Sequence, residues 1–254
     1  MSYHDFERWK ETPAPSIDLS IVIPAYNEAE RILPTLGAMA VVVSSFTQNW
    51  EMIVSDDGSS DDTAELIEAL EWANLTVVRH ANTGKGGAVK RGVMAATGKA
   101  ILFADADNST PIEELPRMLA KLEAGFDVVV GSRIAEGAVV ENKTWWRHLL
   151  SWGLRNVIGL LSGVYVKDTQ CGFKLFSTKA ARELFSRQQI LGFSFDLELL
   201  YLANKLGFEV AEVPVHWFDA PGSKVDSVKD SIQFIRDIFT VKRLESQGAY
   251  RGSN

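Results

Sequence analysis

The stretch Ala100-Ile101-Leu102-Phe103-Ala104-Asp105-Ala106-Asp107-Asn108 decides how this chain is read. Five apolar residues run straight into two carboxylates separated by one alanine, with Gly98-Lys99 before them and Asn108-Ser109 behind. An unbroken apolar run between turn residues reads as a strand buried on both faces of a parallel sheet. In such sheets the ligand crevice lies beyond the carboxyl ends of the strands. Carboxylates placed there suit a divalent cation, since hard ions such as Mg²⁺ or Mn²⁺ take oxygen ligands. Asp105 and Asp107 are therefore expected to hold a metal that bridges a diphosphate.

The flanking sequence supplies the rest of the sheet. Strands are expected over 19–23, stopped by Pro24, and over 51–55 and 75–79. Helices are expected over 31–46, over 63–73, and from the Gly84 turn to Thr97, where Gly98 takes the position after the C-cap. Asp56-Asp57-Gly58-Ser59-Ser60-Asp61-Asp62 is rich in residues that cap helices. Thr110-Pro111-Ile112-Glu113 has the form of a capping box with proline at N1, opening a helix that ends near Gly125. A fifth strand follows over 127–131. This alternation reads as a doubly wound, mostly parallel α/β fold. Each acid or glycine cluster falls at a strand's carboxyl end, which argues for one crevice.

The second half reads differently. A helix from Trp145 to about Ser162, a strand over 172–176, a helix over 195–206, a strand over 209–215 and a helix over 225–244 are expected. They are expected to extend the sheet with antiparallel strands and to wall a second substrate.

Composition narrows the classes. The 254 residues, 46% hydrophobic and 23% charged, suit an ordinary globular core, and nothing marks a linker, so one domain is expected. A net charge of −7 argues against a nucleic-acid partner, which would need a basic face. One cysteine, Cys171, leaves no internal disulfide, and a reducing cytosol is the default compartment. Residues 1–17 read as a polar leader with no apolar core, and no run of about 18 uncharged apolar residues suggests a membrane span.

Several clusters carry chemistry. Gly84-Lys85-Gly86-Gly87 is no Walker motif, because Arg79 stands at its leading glycine and Gly86 at its Ser/Thr. Nor is it a dinucleotide fingerprint, whose third glycine would fall on Val89, which weighs against a nicotinamide-dependent oxidoreductase. It reads as a helix N-terminus with Lys85 beside it, expected to attract an anion, against the plainer reading of a helix-starting turn. Asp57 is expected to contact a base, accepting uracil's ring N–H or guanine's adjacent donors without choosing between them. Asp61 and Asp62 read as turn and cap residues. Arg133 is expected at a phosphate or acceptor. His80, His148 and His216 show no ligand spacing, and Cys171 reads as a small buried hydrophobe.

Taken in order, Pro24-Ala25-Tyr26-Asn27-Glu28, Asp56-Asp57-Gly58-Ser59, Gly84-Lys85-Gly86, Asp105-Ala106-Asp107 and Gly131-Ser132-Arg133 resemble the family 2 glycosyltransferases with the GT-A fold. Residues 168–176 and Phe195-Asp196-Leu197-Glu198-Leu199-Leu200 resemble dolichyl-phosphate β-glucosyltransferases more than dolichyl-phosphate mannose synthases. The resemblance implies one domain over 18–244, with a nucleotide-sugar half at 18–133, an acceptor half at 134–244, and a tail at 245–254. It implies inverting transfer of glucose from UDP-glucose to a polyprenyl phosphate, with Mg²⁺ or Mn²⁺. Pro24, Ala25, Tyr26, Glu28 and Asp57 would line the uridine site, Lys85 would lie near the nucleotide, and Asp105 and Asp107 would hold the metal. Arg133 and Lys174 would meet the lipid phosphate. The alternatives are GDP-mannose as donor, a soluble glycan hydroxyl as acceptor, or a non-catalytic nucleotide-sugar-binding protein.

An acceptor phosphate monoester, with a second pKa near 6, is already ionised at neutral pH and requires no strong base. A sugar hydroxyl requires one, for which Asp196 and Asp168 are the candidates, Asp196 being equally readable as a helix-cap carboxylate. Trp145-Trp146-Arg147-His148-Leu149-Leu150-Ser151-Trp152 has the composition of an interfacial segment, and the last helix adds Ile232, Ile235, Ile238 and Phe239 beside Lys229, Arg236, Lys242 and Arg243. A peripheral position on the cytoplasmic face of a membrane is expected.

Overall fold

The computed structural model describes residues 17–141, 166–218 and 227–251. The leader and the tryptophan-rich helix expected from Trp145 lie outside the described residues, as do the side chains of Lys229, Ile232 and Ile235.

The first half alternates as expected: β1 (Leu19–Ala25), α1 (Ile32–Ser44), β2 (Trp50–Asp56), α2 (Thr63–Glu68), β3 (Leu75–Arg79), α3 (Lys85–Ala95), β4 (Ala100–Ala104), α4 (Leu115–Glu123) and β5 (Val128–Ser132). There follow β6 (Val139–Glu141), β7 (Phe173–Ser177), α5 (Thr178–Arg187), α6 (Phe195–Leu206), β8 (Val210–Pro214), β9 (His216–Phe218) and α7 (Ser227–Ser246). The main sheet runs β3-β2-β1-β4-β7-β5-β8, and β6 and β9 pair apart from it.

Only β7 runs antiparallel, and it lies inside the sheet between β4 and β5, while β8 is parallel to β5. The antiparallel extension expected of the second half is thus a central insertion. In β4, Leu102 and Ala104 join one core layer with α1 and α4, while Ile101 and Phe103 join the other with α3, α5 and α6. Two-sided burial explains why β4 shows no polar alternation.

Four local expectations are corrected. Pro24 lies inside β1, opposite Ser55 of β2, beyond the last pair with β4 at Val22–Phe103. Gly98 has no left-handed backbone; its amide donates to Ser20 Oγ at 2.8 Å, and a Cβ there would lie 2.6 Å from the Ser20 nitrogen. Close approach to β1, not helix capping, requires glycine. The capping box does not form: Pro111 is extended with no side-chain cap, a 3₁₀ turn covers Ile112–Glu114, and α4 begins at Leu115. Likewise α2 stops at Glu68, well short of residue 73.

Candidate functional site

The loops after β1 and β2 are knitted together. Asn27 N donates to Ser59 Oγ at 2.9 Å, Ser60 N donates to Asn27 Oδ1 at 2.8 Å, and Glu28 N donates to Thr63 Oγ1 at 2.8 Å. Asp61 takes Ala29 N and Thr63 N, the turn role expected of it. Pro24 and Ala25 end β1 here, and Tyr26, which follows, is 44% exposed. Glu28 holds Arg31 through both carboxylate oxygens.

Asp57 faces the next loop. Its carboxylate accepts Thr83 N at 2.9 Å and Gly84 N at 2.8 Å, with His80 Nδ1 3.3 Å away. In this structure Asp57 orders the turn that starts α3. His80, read as packing, also meets Ser55 Oγ at 3.0 Å and Arg91 at 3.0 Å. Gly84, at φ 94, adopts the conformation that admits a helix start here without strain.

The acid turn after β4 is held at three points. Asp105 N donates to Gly172 O at 3.0 Å, Thr35 Oγ1 donates to Ala106 O at 2.9 Å, and Asn108 adopts a left-handed φ of 51. Gly172 allows this: a Cβ there would lie 1.9 Å from Asp105 Oδ2. Lys85 Nζ lies 2.6 Å from Asp105 Oδ1 and stands between the rings of Phe103 and Phe193, at 5.5 and 5.8 Å. Burial works against its charge, but Asp105, Asp196 and Asp107 together hold its pKa above the usual lysine value. Lys85 therefore remains a cation in the crevice. Asp107 takes Ser109 N at 2.9 Å and forms no ion pair among the described residues. Phe218 N donates to Ser109 O at 2.9 Å, bringing β9 to the same turn.

The second half contributes two carboxylate–cation pairs that the sequence reading assigned separately. Lys174, expected at an acceptor phosphate, is corrected: it is 0% exposed, and its Nζ lies 2.6 Å from both Asp196 Oδ1 and Cys171 O. Asp196 is neither a free base nor a helix cap; it is a buried partner in the first turn of α6. Burial raises its pKa, against the pull of Lys174 and Lys85. Asp168 is likewise paired in this structure. It binds Arg133 through Nε at 2.7 Å and a terminal nitrogen at 2.8 Å, and accepts the Arg133 amide at 2.9 Å. Arg133 still presents its guanidinium over the Trp217 ring, at 5.6 Å, with part of its surface open. Cys171, buried as expected, has its thiol pushed up to about 11 by burial and by Asp168.

Burial disfavours the Asp168 carboxylate, but Arg133 outweighs it and holds the group down to about 2, against the usual 3.8. A depressed carboxylate contributes stability above its unfolded pKa and loses it as pH falls through the folded one. The stability difference between the wild type and Asp168→Asn is expected to shrink by about 2 kcal/mol between pH 5 and pH 2 in urea titrations. A pH-independent difference would refute the pairing as the source.

Among the described residues no cluster of three or more His, Cys, Asp or Glu side chains forms a complete metal cage. The donor set nonetheless fits a hard cation. Mg²⁺-type sites use one or two carboxylates and fill the remaining positions with waters and substrate phosphates. Asp105 and Asp107 are part-exposed at the strand end, and Asp105 already draws an ammonium to 2.6 Å.

The family model described as Glycosyl transferase family 2 matches residues 20–185. A Dictyostelium discoideum protein named dolichyl-phosphate beta-glucosyltransferase is 36% identical over 91% of this chain and 76% of its own length. Proteins of the same name from Saccharomyces cerevisiae and Mus musculus are 32% and 35% identical, over 92% and 94% of this chain and 77% and 79% of their own lengths. Among solved structures, glucosyl-3-phosphoglycerate synthase from Mycobacterium tuberculosis, with Mn²⁺, UDP and phosphoglyceric acid, superposes with a TM-score of 0.65 at 20% identity. That likeness covers 89% of this chain and 78% of the other, and shows a shared fold. The same synthase with Mn²⁺ and UDP-glucose gives 0.63 at 21% identity, over 95% and 83% of the two chains.

Proposed function

The chain belongs to glycosyl transferase family 2 and is a glycosyltransferase, and from that premise we propose that it moves glucose from UDP-glucose to a polyprenyl phosphate of the dolichyl type, with inversion. The observation that carries this reading is the similarity, over nine-tenths of the chain, to proteins named for that acceptor and sugar. UDP-glucose and a divalent metal are supported by their presence in structures of the same fold.

Asp105 and Asp107 would hold the divalent metal, which would supply positive charge against a leaving diphosphate. Lys85 adds a fixed cation on the same side, an electrostatic contribution that needs no proton transfer. Asp57 orders the turn that presents Lys85, and Pro24, Ala25, Tyr26 and Glu28 line the uridine side. Arg133 offers charge to an acceptor phosphate, while Asp168 fixes the guanidinium plane. The acceptor oxygen is ionised at neutral pH, so no general base is required. The sealed state of Asp168 and Asp196 agrees with that choice over a sugar hydroxyl.

No helix among the described residues is long and apolar enough to cross a membrane. A polyprenyl phosphate presents its phosphate at a membrane surface, and we propose that transfer takes place there, on the cytoplasmic face. The test is transfer from radiolabelled UDP-glucose or GDP-mannose to polyprenyl phosphate in liposomes, with Mg²⁺ or Mn²⁺. Label is expected in the organic phase from UDP-glucose alone; label from GDP-mannose alone would overturn the donor assignment.

A further inference from the structure

Glu198, on α6, is a carboxylate with 0% of its surface exposed, far along the chain from the acid turn. Burying a charge is costly unless hydrogen bonds satisfy it. Here three donors do so. Gln189 N reaches its two oxygens at 3.0 and 3.1 Å, Ile190 N donates at 2.8 Å, and the Tyr250 hydroxyl donates at 2.7 Å. A leucine would fill this volume without that cost. What Glu198 adds is a fixed conformation for the loop between α5 and α6.

That loop in turn holds the start of α3. Leu191 O accepts Gly87 N at 3.1 Å, and Gln188 Nε2 donates to Gly86 O at 2.9 Å. Lys90 Nζ donates to Gln188 O at 2.7 Å. The approach is so close that a Cβ on Gly86 would come 2.9 Å from Ile190 O and 2.6 Å from Phe195 Cβ. The same loop supplies Phe193, whose ring stands 5.8 Å from Lys85 Nζ. On its other side, the turn is held by Asp57 through Thr83 and Gly84.

We propose that Glu198 and Tyr250 form a latch that positions Lys85, so that residues just beyond α7 set the cationic side of the crevice. Both are positioning residues; they act through the 188–193 loop and touch neither donor nor acceptor. The readout through donor affinity rests on the reading of Lys85 as a contact of the donor's diphosphate.

Tyr250→Phe removes one hydroxyl and leaves the ring in place, so it is the primary variant, with Glu198→Gln as the second. In Tyr250→Phe, amide exchange over residues 84–92 is expected to rise about tenfold, with the β1–β2 amides unchanged. The KM for UDP-glucose is expected to rise roughly three- to tenfold, the scale of one hydrogen bond to a charged group, at unchanged acceptor KM. In a Lys85→Ala background the same substitution is expected to leave donor KM unchanged, because the two changes act on one element. Faster exchange confined to 245–251, with 84–92 unaltered, would overturn the latch. So would an equal rise in donor KM on Tyr250→Phe with and without Lys85. Faster exchange at 84–92 with donor KM unchanged supports the latch and instead removes Lys85 from the diphosphate.

Discussion

Asp107→Ala is expected to lower kcat/KM for transfer by about 10³-fold or more, with thermal stability nearly unchanged. The two effects separate because of where the residue lies. Asp107 is part-exposed on a turn, and the hydrogen bond it accepts from Ser109 N is local. The fold around that turn is set by Asp105 N on Gly172 O and Thr35 on Ala106 O, both independent of the Asp107 side chain. What alanine removes is a negative charge at the crevice. Asp107→Asn sharpens the experiment, since its amide oxygen can still accept the Ser109 amide while the charge is gone. It is expected to be as inactive as alanine. Full activity in Asp107→Asn, measured with Mg²⁺ and with Mn²⁺, would refute the metal role.

Lys174→Met is expected to destabilise the fold by about 3–5 kcal/mol, because it strands a buried carboxylate. Lys174 and Asp196 are both inside the protein, with Nζ 2.6 Å from Oδ1 and 5.9 Å from the Phe103 ring. Burial already raises the Asp196 pKa against the pull of Lys174, so losing the cation raises it further. A carboxylate whose folded pKa exceeds its unfolded one costs stability as pH rises past the unfolded value. The defect of Lys174→Met is therefore expected to be smaller near pH 4 than at pH 8. Adding Asp196→Leu should restore most of the loss, since replacing a whole buried pair with apolar groups is close to neutral. Urea midpoints of the two variants decide it; a loss below about 1 kcal/mol in the single variant would show that the pair is solvated.

The local record was readable because it is written in local periodicity. The apolar run of β4 announces two-sided burial, and the acids that follow it announce a strand-end crevice, with Lys85 at a helix start beside it. These features depend on neighbours a few residues apart. Two local patterns mislead. Gly98 looks like a helix stop but serves the approach of Ser20; the Thr110–Glu113 pattern looks like a capping box but gives way to a 3₁₀ turn.

What the sequence by itself determined is the alternation of strands and helices, the family, the placement of Asp57, Asp105 and Asp107 just past strand ends, and that of Lys85 at a helix start. What only the tertiary structure decided is the partner of each charge. Lys174 meets Asp196 across 22 residues and Arg133 meets Asp168 across 35; pairing turns Lys174 into a buried structural cation and fixes the plane of the Arg133 guanidinium. The physical cause is β7. Its antiparallel insertion between β4 and β5 carries Cys171, Gly172 and Lys174 to the acid turn, and spacing along the chain carries no trace of that contact.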